Sequence, residues 1–83
     1  MWGEKNELTM LMEEFCEAAT AAGHLIRERE GAREELIEEL ADASMMMESV
    51  IQMLDAEKEF EQHRQFKIER MYRRLEKGIN DGE

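Results

Sequence analysis

The sequence predicts an all-α fold: one domain over residues 1–83, with three helices that complete a bundle by homo-oligomerisation. Three observations carry this. Ala, Leu, Glu, Met, Lys and Arg dominate the chain, and these side chains lose least on entering a helix. Proline is absent, and the glycines are few and placed at edges: Gly3, Gly23, Gly31, Gly78 and Gly82. Apolar residues recur at steps of three and four over long stretches, the period of an amphipathic helix.

The first helix is predicted from about Lys5 to Glu28. Leu8, Leu11, Phe15, Ala18, Ala22 and Leu25 form its stripe, and Met12, Ala19 and Ile26 widen it. The alanines let another helix approach closely. Gly31 in "REREGARE" is the expected breaker, because glycine tolerates the left-handed backbone that follows a helix end. Arg27 and Arg29 suit the negative end of the first helix dipole, and Glu34 and Glu35 suit the positive end of the next.

The second helix is predicted from about Arg33 to Leu54. Leu36, Leu40, Ala43, Met47, Val50 and Leu54 make one seam. Ile37, Ala41, Met45, Met46, Ile51 and Met53 add apolar surface around it. A helix apolar on most sides is buried on most sides, and so short a chain has little core to offer. The excess predicts a partner, most simply a second copy. The run Met45 to Met47 reads as adaptable packing. A break is expected between Asp55 and Glu59. A third helix then runs to about Lys77, with Ile68, Met71, Tyr72, Leu75 and Ile79 on one face, and Gly78 ends it.

The net charge of −10 argues against binding a nucleic-acid polymer, which requires a basic surface, and against docking on an anionic membrane. No apolar run approaches the length of a bilayer span. "MWGEKNELTM" lacks the basic and apolar regions of a signal peptide, so a cytoplasmic protein is expected. Cys16 is the only cysteine, and its apolar helical setting predicts a buried structural thiol. Charge is uneven along the chain. "HRQFKIERMYRRLEK" holds Arg64, Lys67, Arg70, Arg73, Arg74 and Lys77 against Glu69 and Glu76, a place for an anion on an acidic protein.

The acids raise the functional question. Residues three or four apart on a helix are neighbours, so Glu14 projects with Glu17, and Glu39 with Asp42. If the first two helices pack antiparallel, the pairs meet. Four carboxylates from rigid helices suit a hard cation such as Mg²⁺ or Mn²⁺. Glu13 and Glu38 stand beside them, placed to complete the shell or position a water. Two carboxylates about 6 Å apart repel by roughly 3 kcal/mol at an effective dielectric near 20. A true cluster therefore needs a cation; otherwise the acids point outward and never meet. The spacing alone is weak, since Glu34, Glu35 and Glu38 fit it too. Placement adds weight: Glu14, Glu17, Glu39 and Asp42 border apolar stripes, where acids need partners. Residue chemistry leaves both readings open. A di-iron carboxylate bundle is excluded by its ligands. It requires Glu-x-x-His, and the residues three before His24 and His63 are Ala21 and Phe60.

Glu13, Glu14 and Glu17 in "EEFCE", followed a helix later by Glu39 and Asp42 in "ELAD", resemble the signature of the MazG-like all-α nucleoside triphosphate pyrophosphohydrolases. "FKIERMYRRL" is similar to the Lys-x-x-Arg-x-x-x-Arg segment of small, phage-type members. The resemblance runs from Trp2 to Leu75. It implies a Mg²⁺-dependent enzyme that converts a nucleoside triphosphate to the monophosphate and pyrophosphate, in a bacterial or phage-infected cell. It implies Glu14, Glu17, Glu39 and Asp42 as metal ligands, with Glu13 or Glu38 orienting the attacking water. It further implies a homodimer or dimer of dimers with helical cores built across the interface. Lys67, Arg70 and Arg74 share one helical face and suit the triphosphate tail, although a solvated basic face explains them equally. Trp2 and Tyr72 are candidates for base stacking, with packing as the plainer role. The alternative function is a non-catalytic helical scaffold or protein-interaction module.

Overall fold

The structure, a computed structural model, describes residues 2–81, with side chains from residue 3 to residue 78. It is all-helical: α1 spans Trp2–Ile26, α2 spans Ala32–Met53 and α3 spans Glu57–Asp81. No strand occurs among the described residues. No described helix is long and apolar enough to cross a membrane. The side chains of Trp2 and Ile79, expected to stack and to pack, lie outside the described residues.

Both connections are made by the same device. Glu28 adopts a left-handed backbone (φ 57°), its N–H donates to the Leu25 carbonyl, and the Arg29 N–H donates to the His24 carbonyl. Asp55 (φ 53°) repeats this, with its N–H donating to Gln52 and the Ala56 N–H to Ile51. These are Schellman closures, which satisfy the last carbonyls of a helix. The expected glycine breaker acts one step later. Gly31 is left-handed (φ 77°), but it stands at the N-terminal boundary of α2, where its carbonyl accepts from the Glu35 N–H. The end expected at Gly78 is passed, because α3 continues to Asp81.

α1 and α2 form an antiparallel hairpin. Glu7 meets Ser49 (2.9 Å), and His24 meets Glu35 (3.0 Å) near the turn. The helices approach along small residues. Ala21, Ala32, Ala43 and Val50 are the buried apolar positions, and Ala21 is fully covered. α3 is different: among the described residues it touches α2 and does not touch α1. The chain is consequently a thin slab of 54 × 39 × 14 Å, its short axis little more than the roughly 10–12 Å diameter of one helix. Its radius of gyration is 16.8 Å, where a compact domain of this length has about 12 Å.

This shape leaves the apolar stripes half used. No large side chain among the described residues is fully buried. Leu8, Phe15, Leu40, Leu54 and Leu75 are exposed, as is Met45 of the methionine run, while Met46 and Met47 are half-buried. The second helix is therefore not enclosed by its own chain, since α1 covers one side and α3 only part of another. Cys16 corrects an expectation. It is exposed rather than buried, because it lies outside the stripe of Glu14, Ala18 and Ala21 on which α1 is covered.

Candidate metal centre

The carboxylates come together through backbone geometry. Small side chains at Ala21 and Ala43 draw α1 and α2 close, and the antiparallel register sets Glu14 of α1 opposite Glu39 and Asp42 of α2. One oxygen from each of these three lies within 4.8 Å of the others. Glu14 and Glu39 are half-buried and Asp42 is exposed, so the cluster has a dry floor and an open mouth.

Two oxygens on that floor are unusual. Oε2 of Glu14 and Oε2 of Glu39 are buried with no hydrogen-bond partner. A buried acceptor without a donor is costly, and more so when it carries charge. The cost is visible in both acidities. The Glu14 carboxyl is held above its ordinary value of 4.5, first by burial, then by the charges of Glu17, Asp42 and Glu13. Glu39 is also raised, first by burial, then by a hydrogen bond between its carboxyl and that of Glu17, then by the charges of Glu17, Asp42 and Glu14.

No cation among the described residues is ion-paired with Glu14 or Glu39. The ion pairs among the described residues are His24 with Glu35, Arg33 with Glu34, and Arg64 with Glu61. Glu34 and Glu35 fit the same spacing as the site acids and are engaged in those pairs, outside the converging three. Glu17 is exposed and is not among the converging three, but its charge reaches both Glu14 and Glu39. Glu13 is exposed, and its charge reaches Glu14. Glu38 is exposed and is not among the groups acting on Glu14 or Glu39.

Next to Glu39 lies a depression of about 230 Å³ lined by Cys16, Glu17, Thr20, Glu35 and Glu39, which Glu14 and Asp42 do not line. Glu35 was not expected there. It stands one turn before Glu39, so helical spacing alone was enough to flag it. The basic residues lie elsewhere. Lys67 lines a groove of about 630 Å³ with Met47, Phe60, Ile68 and Met71, while Arg70 and Arg74 are exposed along α3. Within one chain the structure does not bring these cations to the carboxylates, because α3 does not reach α1.

Hard oxygen donors converging with two orphaned buried oxygens fit a Mg²⁺- or Mn²⁺-sized cation, which would give those oxygens the partner they lack. No family model matches this chain, and no curated protein or solved structure matches it either.

Proposed function

We propose that the protein is a Mg²⁺-dependent nucleoside triphosphate pyrophosphohydrolase that converts a ribo- or deoxynucleoside triphosphate to its monophosphate and pyrophosphate. The observation that carries this is the convergence of Glu14, Glu39 and Asp42 around two buried, unpartnered carboxylate oxygens. The resemblance of "EEFCE", "ELAD" and "FKIERMYRRL" to the MazG-like signature supplies the reaction class.

When bound, the cation supplies polarisation of the phosphoryl oxygens and a water of lowered pKa. Glu14, Glu39 and Asp42 would hold it, with the Glu17 charge beside Glu39 adding to the pull on a cation. Glu13 or Glu38, both exposed and next in sequence to Glu14 and Glu39, accepts the proton lost as water attacks the α-phosphorus. The bond from the α-phosphorus to the bridging oxygen breaks, and pyrophosphate leaves. Lys67, Arg70 and Arg74 neutralise the charge that gathers on it.

The same reading includes a homodimer or dimer of dimers. The slab shape and the exposed Leu8, Phe15, Leu40 and Leu75 support it, since a second copy is the simplest cover for apolar stripes on both sides of a thin chain. Those exposed side chains also favour the second reading, a non-catalytic scaffold that pairs with another protein. Purified chain with Mg²⁺ and a panel of ribo- and deoxynucleoside triphosphates decides between them. Pyrophosphate release that stops with EDTA is expected, and its absence from every nucleotide defeats the enzymatic reading.

A further inference from the structure

The hairpin and α3 carry opposite charge. α1 holds one lysine against five glutamates, and α2 holds one arginine against six acids. Residues 64–77 of α3 hold six cations against two acids. Among the described residues only Arg64 of those six is ion-paired, to Glu61. The acidic cluster lacks cations and the basic stretch lacks anions, yet one chain does not join them.

The joint explains why. Residues 54–56 are all that separates α2 from α3, and the Asp55, Ala56 and Phe60 N–H groups are bonded to Gln52, Ile51 and Ala56. This short, bonded connection leaves α3 in contact with α2 alone among the described residues. α3 also has an unused apolar side. At 100° per residue, Ile68, Met71, Tyr72 and Leu75 share one half of the helix, while Lys67, Arg70 and Arg74 share the adjoining half. The chain's own groove ends at Met71, and Tyr72 and Leu75 stay 60% and 55% exposed. Around the acids, Met10 and Met45 are exposed one turn from Glu14 and Asp42. The acidic face thus offers charge and apolar contact to a helix that carries both.

We propose that residues 64–77 of α3 dock on the acidic face of the α1–α2 hairpin of a second copy, carrying Lys67, Arg70 and Arg74 to that copy's carboxylate cluster. The exchange is reciprocal in a two-fold dimer, which buries both arms and both acidic faces. Each site is then built from two chains. The part these cations play toward a triphosphate rests on the pyrophosphohydrolase reading, but the docking does not.

Cys16 makes the test direct. It is exposed, lines the depression beside Glu17 and Glu39, and is the only thiol of the chain. The variant Arg70→Cys adds a second thiol in mid-arm. A short bismaleimide is expected to give a covalent dimer on a denaturing gel, with peptide mapping joining Cys16 of one chain to position 70 of another. The dimer band should vanish in Arg70→Cys with Cys16→Ser and weaken in high salt. A bridge from Cys16 to position 70 inside a single chain overturns the proposal, as does no bridge to Cys16 in protein that is helical by circular dichroism. An interchain bridge in Arg70→Cys, with no pyrophosphate release by the wild type, keeps the docking and rejects the enzymatic reading. Wild-type turnover without an interchain bridge in Arg70→Cys does the reverse.

Discussion

α1 and α2 contact each other from Glu7 and Ser49 at one end to His24 and Glu35 at the other, whereas α3 meets its own chain only at α2. The difference is one of side-chain size and charge. The hairpin closes on alanines, so its helices approach until carboxylates from both are forced together. α3 has a cationic side and an apolar side, and of its large apolar residues only Phe60 and Ile68 are even half-buried. A region that satisfies its packing has thereby created an electrostatic problem, and a region free of that problem has left its packing unfinished. Each lacks what the other holds, and the proposed docking between copies rests on that complementarity.

Breaking the hairpin's charge arrangement should have the largest effect. Glu39→Gln keeps the shape but removes a proposed ligand, and pyrophosphate release should fall by more than about 100-fold. Helix content by circular dichroism should be unchanged, because no helix contact is lost. Breaking the hairpin's packing comes next. Ala21 is fully covered, so Ala21→Leu has no room and should destabilise by roughly 1–3 kcal/mol, read as a fall in urea midpoint. It should also weaken metal binding, because Glu14 and Glu39 move apart with their helices.

Acid should sharpen the contrast. The raised Glu14 and Glu39 carboxyls bind protons more tightly folded than unfolded. Their contribution to stability is fully present below the unfolded value of about 4.5 and is lost as pH rises through the folded values. In EDTA the wild-type Tm should therefore rise as pH is lowered from neutrality toward 5. Glu39→Gln should show a shallower rise, and saturating Mg²⁺ should flatten the wild-type curve by replacing the protons. The smallest effect tests the turn alone. Gly31 has φ 77° with open space around it, so Gly31→Ala meets backbone strain only and should cost about 1 kcal/mol in a melt.

The helices were legible because their apolar period is long and unbroken by proline. Their ends were less so. Sequence reasoning looked for glycine and found Gly31, while the left-handed closures fall on Glu28 and Asp55, acidic residues that fit the conformation without advertising it. The acid pairs were legible as pairs, since three- and four-residue spacing fixes what shares a helix face. Which oxygens would be stranded was not, because that depends on the register of α1 against α2. Glu14 and Glu39 occupy the floor, whereas Glu34 and Glu35, identical in spacing, are drawn off by Arg33 and His24. Cys16 was misjudged for the same reason: periodicity counts neighbours along one helix and cannot say which side the next helix covers.

The central claim is that Glu14, Glu39 and Asp42 hold a divalent cation, and calorimetric titration of Mn²⁺ into wild type and Glu39→Gln at constant ionic strength tests it most directly. Saturable binding with proton release in the wild type, lost in Glu39→Gln, is the predicted result. Equal heats from the two proteins would contradict it and leave the cluster as a solvated acidic surface.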